Sequence, residues 1–207
     1  MRRRAEARRL EILRAAARVF RQRGFAETGM REIAAEAGLS PGNLYHYFAG
    51  KHELLFFCQD RSLDVMLEAL RDARSEDASA SAQVRSIIRS HVRCLLSGME
   101  GSAAHLEIEA LPTTLRDRII EKRDRYERGI RRLISAGVRS GEFAPCDPKL
   151  VTRAILGATN WTARWFRPEG PTPAARVADG LAGFLVRGLT HGTSAGPART
   201  TGSGEVS

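Results

Sequence analysis

Several patterns are missing from this sequence, and each absence closes off a class of protein. The three cysteines, Cys58, Cys94 and Cys146, lie far apart and form no CxxC pair. Neither a disulfide framework nor a zinc knuckle is indicated, and a reducing, cytoplasmic compartment is expected. No run of about 18 apolar residues is available to span a bilayer. The N-terminal MRRRAEARR carries charge with no apolar stretch behind it, unlike a secretion signal. Alternation of β-branched and polar residues is absent as well. Apolar residues recur instead every three to four positions, the period of amphipathic helices, so an all-α fold is expected. No set of nucleophile, base and orienting group is recognisable, which argues against an enzyme.

What the chain does have is positive charge, unevenly placed. Its 33 Lys/Arg outweigh 24 Asp/Glu to give a net charge of +9. Residues 1–51 alone hold eleven Lys/Arg against five Glu, so most of the excess sits in the first quarter. A basic segment of that size favours contact with phosphates through counterion release.

The same quarter holds the strongest motif, TGMREIAAEAGLSPGNLYHYFAGK from Thr28 to Lys51. A first amphipathic helix precedes it, from about Ala5 to Arg23, with Ile12, Ala16, Val19 and Phe20 on one face and Gly24 as its stop. Ile33, Ala34 and Ala37 form the apolar stripe of a second helix, and Gly38 falls where a helix closes in the left-handed conformation that glycine adopts without strain. Leu39 plugs the turn. Ser40 is a good N-cap and Pro41 suits the first helical position, so a third helix starts there and runs to Phe48. Leu44 and Phe48 face inward, which leaves Gly42, Asn43, Tyr45, His46 and Tyr47 outward. Two short helices joined by a tight turn, with such a surface, read as a DNA-binding helix-turn-helix.

His52 to Leu70 continues as a long connector helix, followed by a small polar loop, Ser75 to Ala82. Beyond it the pattern predicts helices from Val84 through Leu95 to an end near Gly98, Ala103 to Ala110, Pro112 to about Arg139, Pro148 to about Phe166 and Ala174 to about Leu189. Asp147 caps the helix that begins at Pro148, and a Gly/Ser/Thr-rich tail follows from His191. The charged residues along 112–139 read as a solvated face. The division is 1–51, a helix-turn-helix unit; 52–74, a connector; 75–190, a second helical unit; and 191–207, a disordered tail.

Taken together, Val19 to Phe25, Thr28, Met30 to Ala34, Ala37 to Ser40, Gly42 to Phe48 and Lys51 to Leu55 resemble the TetR family of bacterial one-component repressors. The resemblance implies a homodimer on a palindromic double-stranded DNA operator, with a small-molecule effector bound in a helical ligand-binding and dimerisation domain. Gly42, Asn43 and Tyr45 would lie nearest base edges, His46, Tyr47 and Lys51 on phosphates, and Thr28 and Ser40 at the helix starts that meet the backbone. Two departures are visible. Gly29 stands where a hydroxyl residue is common, and His46-Tyr47 inverts the commoner order. Arg2, Arg3 and Arg4 are read either as a minor-groove arm or as a solvated tail.

The apolar stripes Leu150, Val151, Ala154, Ile155, Ala158, Trp161 and Val177, Leu181, Phe184, Leu185, Leu189 could form an intersubunit seam or cover their own domain's core. Polar groups on otherwise apolar faces, His91, Cys94, His105, Glu109, Asn160 and Arg164, with Tyr126, Trp161 and Trp165 nearby, are the candidate ligand residues. The cluster from Asn160 to Pro168 could stack a ring and hold an anionic group, similar to regulators that sense acyl-coenzyme A esters. A hydrophobic acid or acyl-CoA effector is therefore expected, with no resident cofactor or metal. The alternatives are a metal-responsive regulator, in which the pairs His91/Cys94 and His105/Glu109 ligate zinc, and a helical enzyme.

Overall fold

A computed structural model of the chain describes residues 2–75, 78–96 and 107–191, which are helical throughout apart from turns and short links. The eight α-helices among them are α1 (Arg2–Arg23), α2 (Met30–Glu36), α3 (Pro41–Tyr45), α4 (Lys51–Ser75), α5 (Ala80–Leu96), α6 (Thr113–Arg139), α7 (Pro148–Trp165) and α8 (Ala174–His191). One contiguous apolar core runs from Ile12 on α1 to Leu189 on α8. α4 belongs to both ends of it. Leu54, Leu55 and Cys58 pack with α1, whereas Met66, Leu70 and Ala73 pack among the later helices.

Several boundaries differ from the sequence expectation for identifiable reasons. α1 already begins at Arg2, so the first arginines are neither an extended arm nor a tail here. α5 begins at Ala80, inside the segment expected to be a loop. Ser79 Oγ accepts from the Ala82 N–H, and the Glu142 carboxylate accepts from the N–H groups of Ala80 (2.7 Å) and Ser81 (2.8 Å). The free donors of the helix start are thus satisfied from outside the helix, so a small polar sequence can open a helix there. Of the short helix expected over Ala103 to Ala110, residues 103–106 lie outside the described residues. The remainder is a single 3-10 turn, Ile108–Ala110, which stops where Pro112 forces Leu111 into extended backbone. The C-terminal tail expected from His191 also lies outside the described residues beyond position 191, while α8 includes His191 itself.

The structure also decides which face of α7 is inside, a point the sequence leaves open. Its buried residues are Thr152, Ile155, Thr159 and Thr162. Each threonine hydroxyl donates to a carbonyl about one turn back, on Pro148, Ile155 and Thr159 respectively. Satisfied in this way, threonines can be buried at little cost. Of the stripe that could serve either an intersubunit seam or the domain's own core, Leu150, Ala154 and Trp161 therefore point outward.

Candidate DNA-reading surface and effector cavity

The turn between α2 and α3 follows the chemistry of its residues. Ala37 caps α2, Gly38 takes φ 62°, and the N–H groups of Gly38 and Leu39 return to the carbonyls of Ala35 and Ala34. Ser40 Oγ accepts from the Asn43 N–H at 3.2 Å, Pro41 occupies the first turn, and Leu44 and Phe48 are buried against α1 and α4. The third helix is shorter than expected, since its α-helical part ends at Tyr45 and the chain turns through His46 and Tyr47 to Phe48. Gly42, Asn43 and His46 are exposed and Tyr45 keeps 54% of its surface, while Tyr47 is half-buried against the core.

Two candidate phosphate ligands have other work. Thr28 is buried, and its hydroxyl donates to the Gly24 carbonyl at 2.7 Å, so it stabilises the end of α1 and presents nothing to solvent. Lys51 Nζ donates to the carbonyls of Phe25 (3.2 Å) and Ala26 (3.1 Å) and lies 4.7 Å from the Phe25 ring centre. It clamps the start of α4 onto the turn before α2. Gly29 offers no side chain to cap α2, and Glu32 compensates from inside the helix by accepting from the Gly29 N–H at 3.0 Å.

A second site lies in the later helices. Leu63 and Met66 of α4, His91 of α5, Arg123, Tyr126 and Glu127 of α6, Leu156 and Asn160 of α7 and Ile108 of the 3-10 turn enclose a cavity of about 320 Å³. His91 is buried at its back. The Tyr126 O–H donates to His91 Nδ1 (3.3 Å), and His91 Nε2–H donates to Asn160 Oδ1 (3.0 Å). That chain leaves the Asn160 amide N–H groups as donors for a guest.

Burial pushes the His91 imidazole down to about 4, against the opposing pull of its Asn160 hydrogen bond. Burial also lowers Arg123 and raises Tyr126, with the Cys94 charge adding to the latter. A histidine whose folded value lies below its unfolded one contributes stability that is fully present above about pH 6.5 and is lost as pH falls towards about 4, a total of roughly 3 kcal/mol. Urea unfolding from pH 7 to pH 4.5 should show this loss. In His91→Asn the component assigned to His91 should vanish, and an unchanged slope would contradict the assignment.

Sequence reasoning placed His91, Tyr126 and Asn160 in one group, and the structure brings them together. It separates the others. The Cys94 thiol turns away to the Ser62 carbonyl at 3.8 Å. The Glu109 side chain is 85% exposed and pairs with Arg116 at 3.2 Å. Trp161 and Trp165 stand outward on α7, because its threonines occupy the inner face. Arg164 lines a different cleft. His105 lies outside the described residues, and among the described residues no three His, Cys, Asp or Glu side chains are grouped to hold a metal ion.

Residues that the sequence did not single out matter as much. Arg123 and Glu127 sit in a run of charged residues that looks uniformly solvated, yet they face the cavity. Lys122, next to Arg123, reaches Asp60 and Asp64 of α4, each at 2.6 Å. The helix that walls the cavity is thereby fastened to the helix that begins at the reading unit.

A helix-turn-helix with an exposed second helix, joined by one long helix to a cavity-bearing helical domain, defines a ligand-responsive DNA-binding regulator. Residues 77–189 match the model of the tetracyclin repressor-like C-terminal domain, and residues 12–56 match that of bacterial regulatory proteins of the tetR family. The chain belongs to the TetR family of transcriptional regulators. The HTH-type transcriptional repressor KstR2 of Mycobacterium tuberculosis is 29% identical over 187 residues, 89% of this chain and 94% of the repressor. The solved structure of that ketosteroid transcriptional regulator aligns at TM-score 0.79 with 27% identity, over 88% of this chain and 95% of its own. AibR in complex with isovaleryl coenzyme A and operator DNA aligns at 0.74 with 27% identity, covering 86% and 98%. PfmR, a TetR family transcriptional regulator from Thermus thermophilus, aligns at 0.77 with 34% identity, also covering 86% and 98%.

Proposed function

We propose that the protein is a homodimeric repressor released from a palindromic operator by a hydrophobic acid or its coenzyme A thioester. The observation that carries this reading is the cavity. Its walls Leu63, Met66, Ile108 and Leu156 suit an acyl chain, while the Asn160 amide and the Arg123 guanidinium supply donors for a carbonyl or carboxylate oxygen. AibR, similar in fold, was solved with an acyl-CoA and operator DNA.

On DNA, Gly42, Asn43 and Tyr45 would approach base edges, and His46 and Tyr47 the phosphates. A side chain added at Gly42 would meet nothing within the protomer, so the fold has no need of glycine there and the bare backbone suits close approach of another molecule. The outward faces of α7 and α8, with Leu150, Trp161, Trp165 and Phe184, would form the two-fold seam. An acyl group entering between α4, α6 and α7 would strain the Lys122 bridge and tilt α4. Release is a population shift, so the ligand must bind the released form more tightly.

The test is fluorescence anisotropy on an operator selected from the host genome, titrated with acyl-CoAs of graded length. Acyl-CoAs should release the DNA in a length-dependent way. Stabilisation and release by neutral or cationic compounds alone would overturn the assignment of the effector class.

A further inference from the structure

A second cleft, of about 510 Å³, lies where the reading unit meets the end of α7. Phe20 and Arg21 of α1, Leu55 of α4, and Arg164, Phe166 and Arg167 at the α7 terminus form its walls. Neither Arg21 nor Arg164 forms an ion pair among the described residues, although Glu107 and Glu169 line the same cleft. Arg167 differs, because its Nη1 donates to the carbonyls of Arg164 and Phe166 and closes the helix end. Unpaired guanidiniums are planar donor forks that match phosphate oxygens two at a time. Phe166, only partly buried, adds apolar ring surface suited to a flat heterocycle. The volume is generous for a lone phosphate and suits a nucleotide.

The cleft is also adjacent to the cavity. α7 contributes Asn160 to one and Arg164, a helical turn of about 5.4 Å further on, to the other. The 3-10 turn is shared in the same way, with Ile108 in the cavity and its N-cap Glu107 in the cleft. We infer that this cleft binds the phosphate-bearing nucleotide end of a coenzyme A thioester whose acyl group occupies the central cavity. The inference rests on the effector reading above and adds a separate subsite to it. Because one wall is α1, a nucleotide held here touches the reading unit directly and gives the effector a second grip on its orientation.

Calorimetric titration of the full-length protein tests this with four probes: coenzyme A without an acyl group, ADP, inorganic phosphate, and the N-acetylcysteamine thioester of isovaleric acid, which has the acyl thioester but no phosphate. Coenzyme A should bind, and Arg21→Gln and Arg164→Gln should each weaken it about ten-fold or more. The short thioester should bind wild type and both variants alike. Coenzyme A affinity that does not move in either variant would overturn the subsite, as would inorganic phosphate competing as well as coenzyme A does. Arginine-dependent binding of coenzyme A without any binding of the short thioester would uphold the subsite and remove the acyl reading of the cavity. The milder Arg21→Lys and Arg164→Lys, expected to fall between wild type and glutamine, keep the test open if a glutamine variant folds poorly.

Discussion

Asn43→Ala combined with Tyr45→Ala should lower operator affinity by about a hundredfold or more, because each lost base contact costs about 1–3 kcal/mol and the loss recurs in both half-sites. The fold should hardly register the change. Tyr45 is more than half exposed, and the capping bond from Asn43 uses its backbone N–H, which alanine retains. Thermal unfolding should therefore stay within about 0.5 kcal/mol of wild type. His46→Ala should act differently, weakening all sequences alike and reducing the salt slope of binding by about one. If the double variant bound operator normally, the reading surface would have to lie elsewhere on the unit.

Phe184→Glu should convert the dimer into monomers and remove high-affinity operator binding with it. Phe184 keeps 67% of its surface exposed in the protomer and Trp161 keeps 64%, while Gly157, Gly180 and Gly188 on the same two helices border open space. Large apolar side chains next to small ones, all unpartnered, suit an interdigitated helix pair. Two-fold symmetry doubles every substitution, so one mutation buries two carboxylates, each costing several kcal/mol. Light scattering at micromolar concentration should give the monomer mass, and anisotropy should give a loss of at least about a hundredfold, since one half-site alone remains. A dimer that persists would move the seam to another face.

The reading unit was legible in the sequence because its signals are local. Gly38, Ser40, Pro41 and the Leu44/Phe48 pair act within a few residues of one another, and backbone geometry leaves them few alternatives. The later helices were legible as helices but not as faces. An apolar stripe such as Leu150, Ala154, Trp161 reads equally as seam or as core until the threonines beside it are seen to satisfy their own hydroxyls and take the inner face. Long-range pairs left no trace at all. Nothing in the sequence tells Lys122 or Glu142 from their solvated neighbours, because the groups they serve, Asp60 with Asp64 and the N–H groups of Ala80 and Ser81, lie about 60 positions away. Lys51 was placed on phosphate by the family resemblance, while its carbonyl partners are supplied by a turn folded back from about 25 residues earlier.

The 25 residues of α4 make a rod about 37 Å long. Leu63 and Met66, which meet the cavity, lie about 20 Å from the end that Lys51 fixes to the reading unit. A tilt of about ten degrees at the cavity would sweep that end by roughly 3–4 Å. In a two-fold dimer the displacements add, so the separation of the reading helices would shift by up to twice that amount against major-groove centres about 34 Å apart. On the proposed release mechanism α4 would act as a mechanical amplifier, with a gain set by how far along it the guest molecule pushes.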